Sequence, residues 1–351
     1  MLTMEGTFNV TQIETLSAIY IVSLSFSLIG SFSVLVVSIV KWQHLQRQVK
    51  PLVQLALADL LAASILMFTS CMNFFQPGTF YFVQSVTVCM RALPLSLMFY
   101  CVSFLFVMVY AWESKHAIEG WRERPANNEE PFCRRRVGAV HVLYAVVWLL
   151  PVVFYLLYTF TDALTLAPIH PPKSDNLMKD RYCTSCIPLL HIWTDTCSNN
   201  EKIHDLLIRI IIFIFVIPVI VCCTVLYYKI GRWQLRYAED GLFPVEGDGH
   251  SRRRLRGAFS LARNMVLVTI FCWTPVLLLI VLSVTNIPQQ QLFLLYVIQA
   301  GTMSLQGFLN SVFYAWWRPN FRDAVLGERT PLIHTPLAFF DESLRPEPRH
   351  L

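Results

Sequence analysis

Charge is what this chain has least of. Asp, Glu, Lys and Arg make up 15% of its 351 residues, against roughly 25% in a soluble domain. Hydrophobic residues make up 55%, and mean hydropathy is +0.50. That balance excludes an ordinary soluble fold. Catalytic signatures are missing too: no paired intramembrane aspartates, no His-Glu-x-x-His and no nucleophile elbow. An intramembrane hydrolase would need such groups, so no enzyme is expected. No internal repeat of broken helices marks a transporter. Residues 1–15 and the short loop 285–290 hold no Lys or Arg. Residues 1–15 also lack the basic region of a cleavable signal peptide, so the first helix is expected to act as an uncleaved signal.

The apolar residues are gathered into seven runs near 16–40, 52–75, 87–111, 138–160, 206–229, 262–284 and 291–317. Each is long enough to cross a bilayer, which takes about 20 residues. The third is interrupted near its start by Arg91 and Pro94. Basic residues gather in the segments 41–50, 112–137 and 230–261 and after 318, with Lys41, Arg47 and Lys50, Arg134-Arg135-Arg136 and Arg252-Arg253-Arg254 as examples. By the positive-inside rule these face the cytosol and the amino terminus lies outside. The net charge of +5 belongs to that inner face and to anionic lipid, not to nucleic acid. The expected fold is an all-α integral membrane bundle of seven transmembrane helices. Residues 1–15 form the outer terminus, 16–317 the bundle, 318–327 a short amphipathic eighth helix and 328–351 a disordered cytosolic tail.

Five of the ten cysteines fall on the oxidising side: Cys71, Cys89, Cys183, Cys186 and Cys197. Cys89 opens the third span, and a bond to it from Cys183, Cys186 or Cys197 would hold the long loop 161–205 over the bundle. The spacing leaves the connectivity open. Cys183-Thr184-Ser185-Cys186 with His191, Cys197 and His204 invites a zinc reading, which an oxidising compartment outweighs in favour of disulfides. Asn9-Val10-Thr11 is an N-glycosylation acceptor on the outer side.

A few polar residues interrupt the apolar spans, and those are expensive in lipid. Leu55-Ala56-Leu57-Ala58-Asp59-Leu60-Leu61 puts an acid in the second span, and Cys272-Trp273-Thr274-Pro275 sets an indole beside a proline kink in the sixth. The seventh ends in Asn310-Ser311-Val312-Phe313-Tyr314, followed by the basic segment Trp316-Trp317-Arg318-Pro319-Asn320-Phe321-Arg322. With Trp148 and Pro218, these motifs resemble those of rhodopsin-like G-protein-coupled receptors over about residues 16–325. The resemblance implies a two-state switch at Trp273, Pro275 and Tyr314. It also implies a polar pocket of Asp59, Ser103, Asn310, Ser31 and Gln306 that holds an allosteric sodium ion, the one cofactor expected. Gln306 replaces an asparagine common in that family. The implied partners are an outer ligand and a heterotrimeric G protein facing Glu113, Lys115, Arg252, Arg253 and Arg254. Ser96 and Ser304 stand where aminergic receptors carry an aspartate and opsins a lysine, so neither ligand class is expected. Arg91 and Arg209 offer charge to an anionic ligand or snorkel to the interface.

Departures from that pattern are specific. Ser31 replaces an asparagine, Ser311 a proline, and Glu113-Ser114-Lys115 stands where the family has Asp-Arg-Tyr. Such departures are similar to those of a divergent orphan group near the cAMP-receptor-like receptors, and they weigh against G-protein coupling. In the tail, Glu328 with Leu332 and Ile333 resembles an acidic dileucine signal read by clathrin adaptors, which adds endosomes and lysosomes to the plasma membrane as destinations. The rival reading is therefore a receptor-shaped protein that does not signal: an endolysosomal sorting or scaffold component, or a transporter.

Overall fold

The computed structural model describes residues 8–40, 50–74, 79–122, 130–165, 185–190, 201–239, 264, 267–283, 285 and 287–316. Among them there are helices and turns and no strand. In chain order they are α1 (Val10–Val40), α2 (Lys50–Met72), α3 (Thr79–Arg122), α4 (Glu130–Thr165), α5 (Glu201–Glu239) and α6 (Leu267–Leu282). A 3-10 turn (Gln289–Leu292) then leads into α7 (Phe293–Ser304), α8 (Gln306–Asn310) and a π turn (Ser311–Trp316). Helices α1 to α5 each contain a stretch long and apolar enough to cross a membrane, and α7 with α8 makes a sixth if the bent pair is one span. The described part of α6 is apolar but shorter. This is a multi-pass membrane protein.

Helix α1 starts at Val10, ahead of the expected 16, because a cap and not the apolar run sets its end. The Asn9 carbonyl accepts from Ile13 N at 3.1 Å, while Gln12 Oε1 reaches back to Asn9 N at 2.9 Å. This is the reciprocal half of a capping box, which satisfies an N–H that the helix itself leaves orphaned. Asn9 is exposed, as a modification acceptor must be.

Helix α3 runs 44 residues through both Arg91 and Pro94 without a break. Proline has no N–H for the carbonyl four residues back, and in α3 that carbonyl belongs to Met90. The Tyr158 hydroxyl of α4 supplies the missing donor at 3.3 Å. Arg91 is exposed, whereas Arg209 is buried and donates to Ser283 Oγ, tying α5 to the end of α6.

The expected single helix over 291–317 is instead bent by 40° at Leu305, with no proline there. The cause lies in α1. Ser27 Oγ donates to the Ser304 carbonyl at 2.5 Å and accepts from Phe308 N at 3.1 Å. A continuous helix would join Phe308 N to the Ser304 carbonyl directly. Inserting a side chain into that ladder opens it and bends the axis. Gly30 and Gly307 let the two elements come this close: a Cβ on Gly30 would lie 3.2 Å from the Phe308 Cα, and one on Gly307 would lie 2.9 Å from Ser31 Oγ. Small residues are how membrane helices approach backbone to backbone.

The short segment 185–190 is tied to the helices at one end of the bundle. Cys89 and Cys186 are disulfide-bonded, 97 positions apart. Cys186 N donates to Asn73 Oδ1 at 3.0 Å, Tyr296 OH to the Leu189 carbonyl at 3.0 Å, and Gln289 Nε2 to the Leu190 carbonyl at 2.7 Å. Phe8 adds edge-on contacts to Phe293 and Tyr296. Cys186, Ile187, Leu189 and Leu190 are all buried.

Candidate functional site

Asp59 arrives on α2 with almost none of its surface exposed, and a buried carboxylate must be paired or hydrogen-bonded. Two amides meet it. Asn310 Nδ2, at the end of α8, donates to Oδ2 at 2.7 Å, and Gln306 Nε2 donates to Oδ1 at 3.3 Å. Gln306 Nε2 also donates to Ser103 Oγ at 3.0 Å, and Ser103 in turn hydrogen-bonds Asp59. The position of Gln306, first residue after the bend at Leu305, is what turns its side chain toward α2 and α3.

The same glutamine reaches α6. Trp273 Nε1 donates to Gln306 Oε1 at 2.6 Å. An indole N–H can only donate, so the Gln306 oxygen faces Trp273 and its NH2 group faces Asp59 and Ser103. Trp273 is buried and held edge-on by Phe104 at 4.6 Å and Tyr100 at 5.7 Å between ring centroids. One chain of polar contacts thus runs from the residue beside the α6 proline to the α2 acid, through a side chain of α8. Pro275 lies within the described part of α6, two residues after Trp273.

A family model, Transmembrane protein 116, matches residues 13–337, a stretch that contains every member of this cluster. The chain belongs to the transmembrane protein 116 family. No curated protein matches it.

In this transmembrane protein 116 family member, hydrogen bonds join Asp59, Ser103, Gln306 and Asn310 of the expected pocket, and Trp273, expected as part of the switch, joins them through Gln306; Ser31 lies beside them without a hydrogen bond to them. Ser31 is buried beside Gly307, and its hydroxyl makes no hydrogen bond among the described residues; the same holds for Ser304 Oγ. Ser96 donates to the Ala62 carbonyl at 3.0 Å. Among the three candidate partners of Cys89, the bond goes to Cys186, which removes that sulfur from any zinc site with Cys183. Cys183 and Cys197 lie outside the described residues, as do Arg252, Arg253, Arg254, Glu328, Leu332, Ile333 and the segment 318–327. Glu113 and Lys115 are on the α3 backbone and Tyr314 on the π turn, with their side chains outside the description.

The cluster as arranged does not fit a sodium ion. A cation needs oxygen lone pairs, and the acid is instead faced by N–H groups from two amides. The Gln306 oxygen, the one atom of that side chain able to ligate a metal, is engaged by Trp273. Sequence reading missed three contributors. Ser27 is one of several serines on an apolar helix, and nothing in α1 alone marks it. Gly307 and Asn73 have meaning only beside Ser31 and Cys186.

Proposed function

We propose that this chain is an orphan, receptor-like bundle of seven membrane helices, with its amino terminus outside. It signals by movement of the sixth helix to a cytosolic heterotrimeric G protein. The seven are α1 to α5, α6 extended to its expected 262–284, and the bent α7–α8 pair. The observation that carries the reading is the link from Trp273 through Gln306 to Asp59 and Ser103, which joins α6 near Pro275 to the second, third and seventh spans. A shift of α6 about Pro275 must break that link or drag α8 with it. Packed elements with two arrangements are what a ligand can bias. An outer ligand would act beneath or through the segment Cys186–Leu190. The effector would meet Glu113, Lys115 and Arg252-Arg253-Arg254, with Tyr314 at the inner end of the seventh span.

The test is a panel of G-protein dissociation assays in cells. Wild type is compared with Leu332→Ala/Ile333→Ala, which holds the chain at the surface by removing the adaptor signal. Activation of any subtype, lost with Trp273→Ala at equal surface expression, is the expected result. Silence across the panel at confirmed surface expression counts against it.

A second reading, a non-signalling sorting or scaffold component of endolysosomes, is favoured by Ser114 in place of the arginine that engages a G protein. On that reading Trp273→Ala leaves cellular distribution and partners unchanged, while Leu332→Ala/Ile333→Ala shifts the chain to the plasma membrane.

A further inference from the structure

We infer that Gln306 is a built-in substitute for a cation at Asp59, so that the acidic cluster is closed to sodium in this chain. Gln306 Nε2 has two hydrogens, and both are spent on the groups a cation would need, Asp59 Oδ1 at 3.3 Å and Ser103 Oγ at 3.0 Å. The other end of the same amide, Oε1, takes the Trp273 indole N–H at 2.6 Å. Glutamine is one methylene longer than asparagine. That extra length is what lets one planar amide span from the α6 indole to the α2 acid. With Asn310 Nδ2 on Oδ2 at 2.7 Å, each carboxylate oxygen already has an N–H donor.

A sodium ion at Asp59 would compete with Gln306 for Asp59 Oδ1 and Ser103 Oγ, and an amide displaced from them would take its acceptor away from Trp273. Trp273 Nε1 would then be a buried donor without a partner, a costly state inside a membrane protein. The tethered amide also has an entropic advantage, since a side chain already fixed in the fold gives up little freedom to stay there. The acid is thus coupled to α6 by a covalent part of the chain. Sodium concentration does not bias the switch; displacement of Trp273 does. This holds whether or not the protein signals, because it concerns only what Asp59 binds.

The experiment uses the purified full-length protein in nanodiscs, with thermal unfolding followed as choline chloride is exchanged for sodium chloride at constant ionic strength. Wild type should show no sodium-specific change in Tm. Gln306→Ala removes the amide and leaves Asp59, Ser103 and Asn310 to meet a cation. It should gain a saturable rise on the order of 3 °C at sodium tenfold above its dissociation constant. Adding Asp59→Asn to that variant should abolish the gain. Gln306→Asn, too short to span both partners, should behave like Gln306→Ala with a smaller loss of packing. A sodium-specific rise in wild type overturns the inference outright. So does a folded Gln306→Ala or Gln306→Asn that stays indifferent to sodium. If neither variant folds, the wild-type titration still decides.

Discussion

The seam where α1 meets α2, α7 and α8 and the outward face of α4 are built from the same hydrophobic chain by opposite rules. Along the seam Ser27, Gly30, Ser31, Asp59, Gly307 and Asn310 are all buried, or too tightly packed to accept a methyl group. On α4, Val146, Leu149, Val153, Leu156 and Leu157 are large, apolar and exposed. In water that distribution would be inside out. In lipid, apolar contact with a neighbouring helix is no better than apolar contact with acyl chains. Helices are therefore held by close approach and by hydrogen bonds that lipid cannot supply. The residues that specify how this protein packs are its smallest and most polar ones.

The largest effect should come from closing the closest approach. Gly307→Ala would place a Cβ 2.9 Å from Ser31 Oγ and 3.2 Å from the Asp59 Cβ. It should cost about 1–3 kcal/mol as overpacking, read as a fall in Tm and in folded yield. Gly301→Ala sharpens the comparison: nothing lies within 4 Å of its would-be Cβ. In mid-helix it should be neutral or stabilising by roughly 0.5–1 kcal/mol. Equal losses at the two glycines would mean that the seam is not tighter than the rest of the bundle.

Removing the hydroxyl that bends the seventh span comes next. Ser27→Ala leaves Phe308 N and the Ser304 carbonyl free to find each other, and the net change in stability should be about 1 kcal/mol or less. Its signature is local: amide hydrogen exchange over 304–309 should slow as the helix closes, and Ser27→Thr should restore the wild-type rate. Unchanged exchange in Ser27→Ala would assign the bend to packing alone.

The smallest effect belongs to the α4 face. Leu157→Ala there should change Tm by an amount equivalent to roughly 0.5 kcal/mol or less in nanodiscs, as for other exposed positions. A fall comparable with that of Gly307→Ala would mean that this face is covered by protein and not by lipid.

Much of the bundle was readable beforehand because long apolar runs have one stable solution in a bilayer. The apolar cores of α1 to α5 and of α7 with α8 fall on the expected spans. Their ends do not, since hydropathy reports where lipid is tolerated while caps such as Asn9 and Gln12 decide where a helix starts. In the cluster, Asp59, Ser103, Asn310 and Gln306 were expected as one pocket and are hydrogen-bonded to one another, while Trp273, expected in a separate switch, is joined to them through Gln306. The choice of Cys186 among three candidate cysteines, the lack of a hydrogen bond on Ser31 and the role of Ser27 were not legible. Each depends on which atoms of two distant segments face one another.

The sequence by itself determined that this chain must cross a membrane several times, and that an acid in the second span must find hydrogen-bond partners there. Those are consequences of solvation, which acts on each residue locally. Only the tertiary structure decided which atoms of Gln306, Asn310 and Ser103 meet that acid, that the Gln306 amide also holds the indole of α6, and that a serine of α1 bends the seventh span. A hydrogen bond works over about 3 Å, so its energy is assigned only when the helices have met.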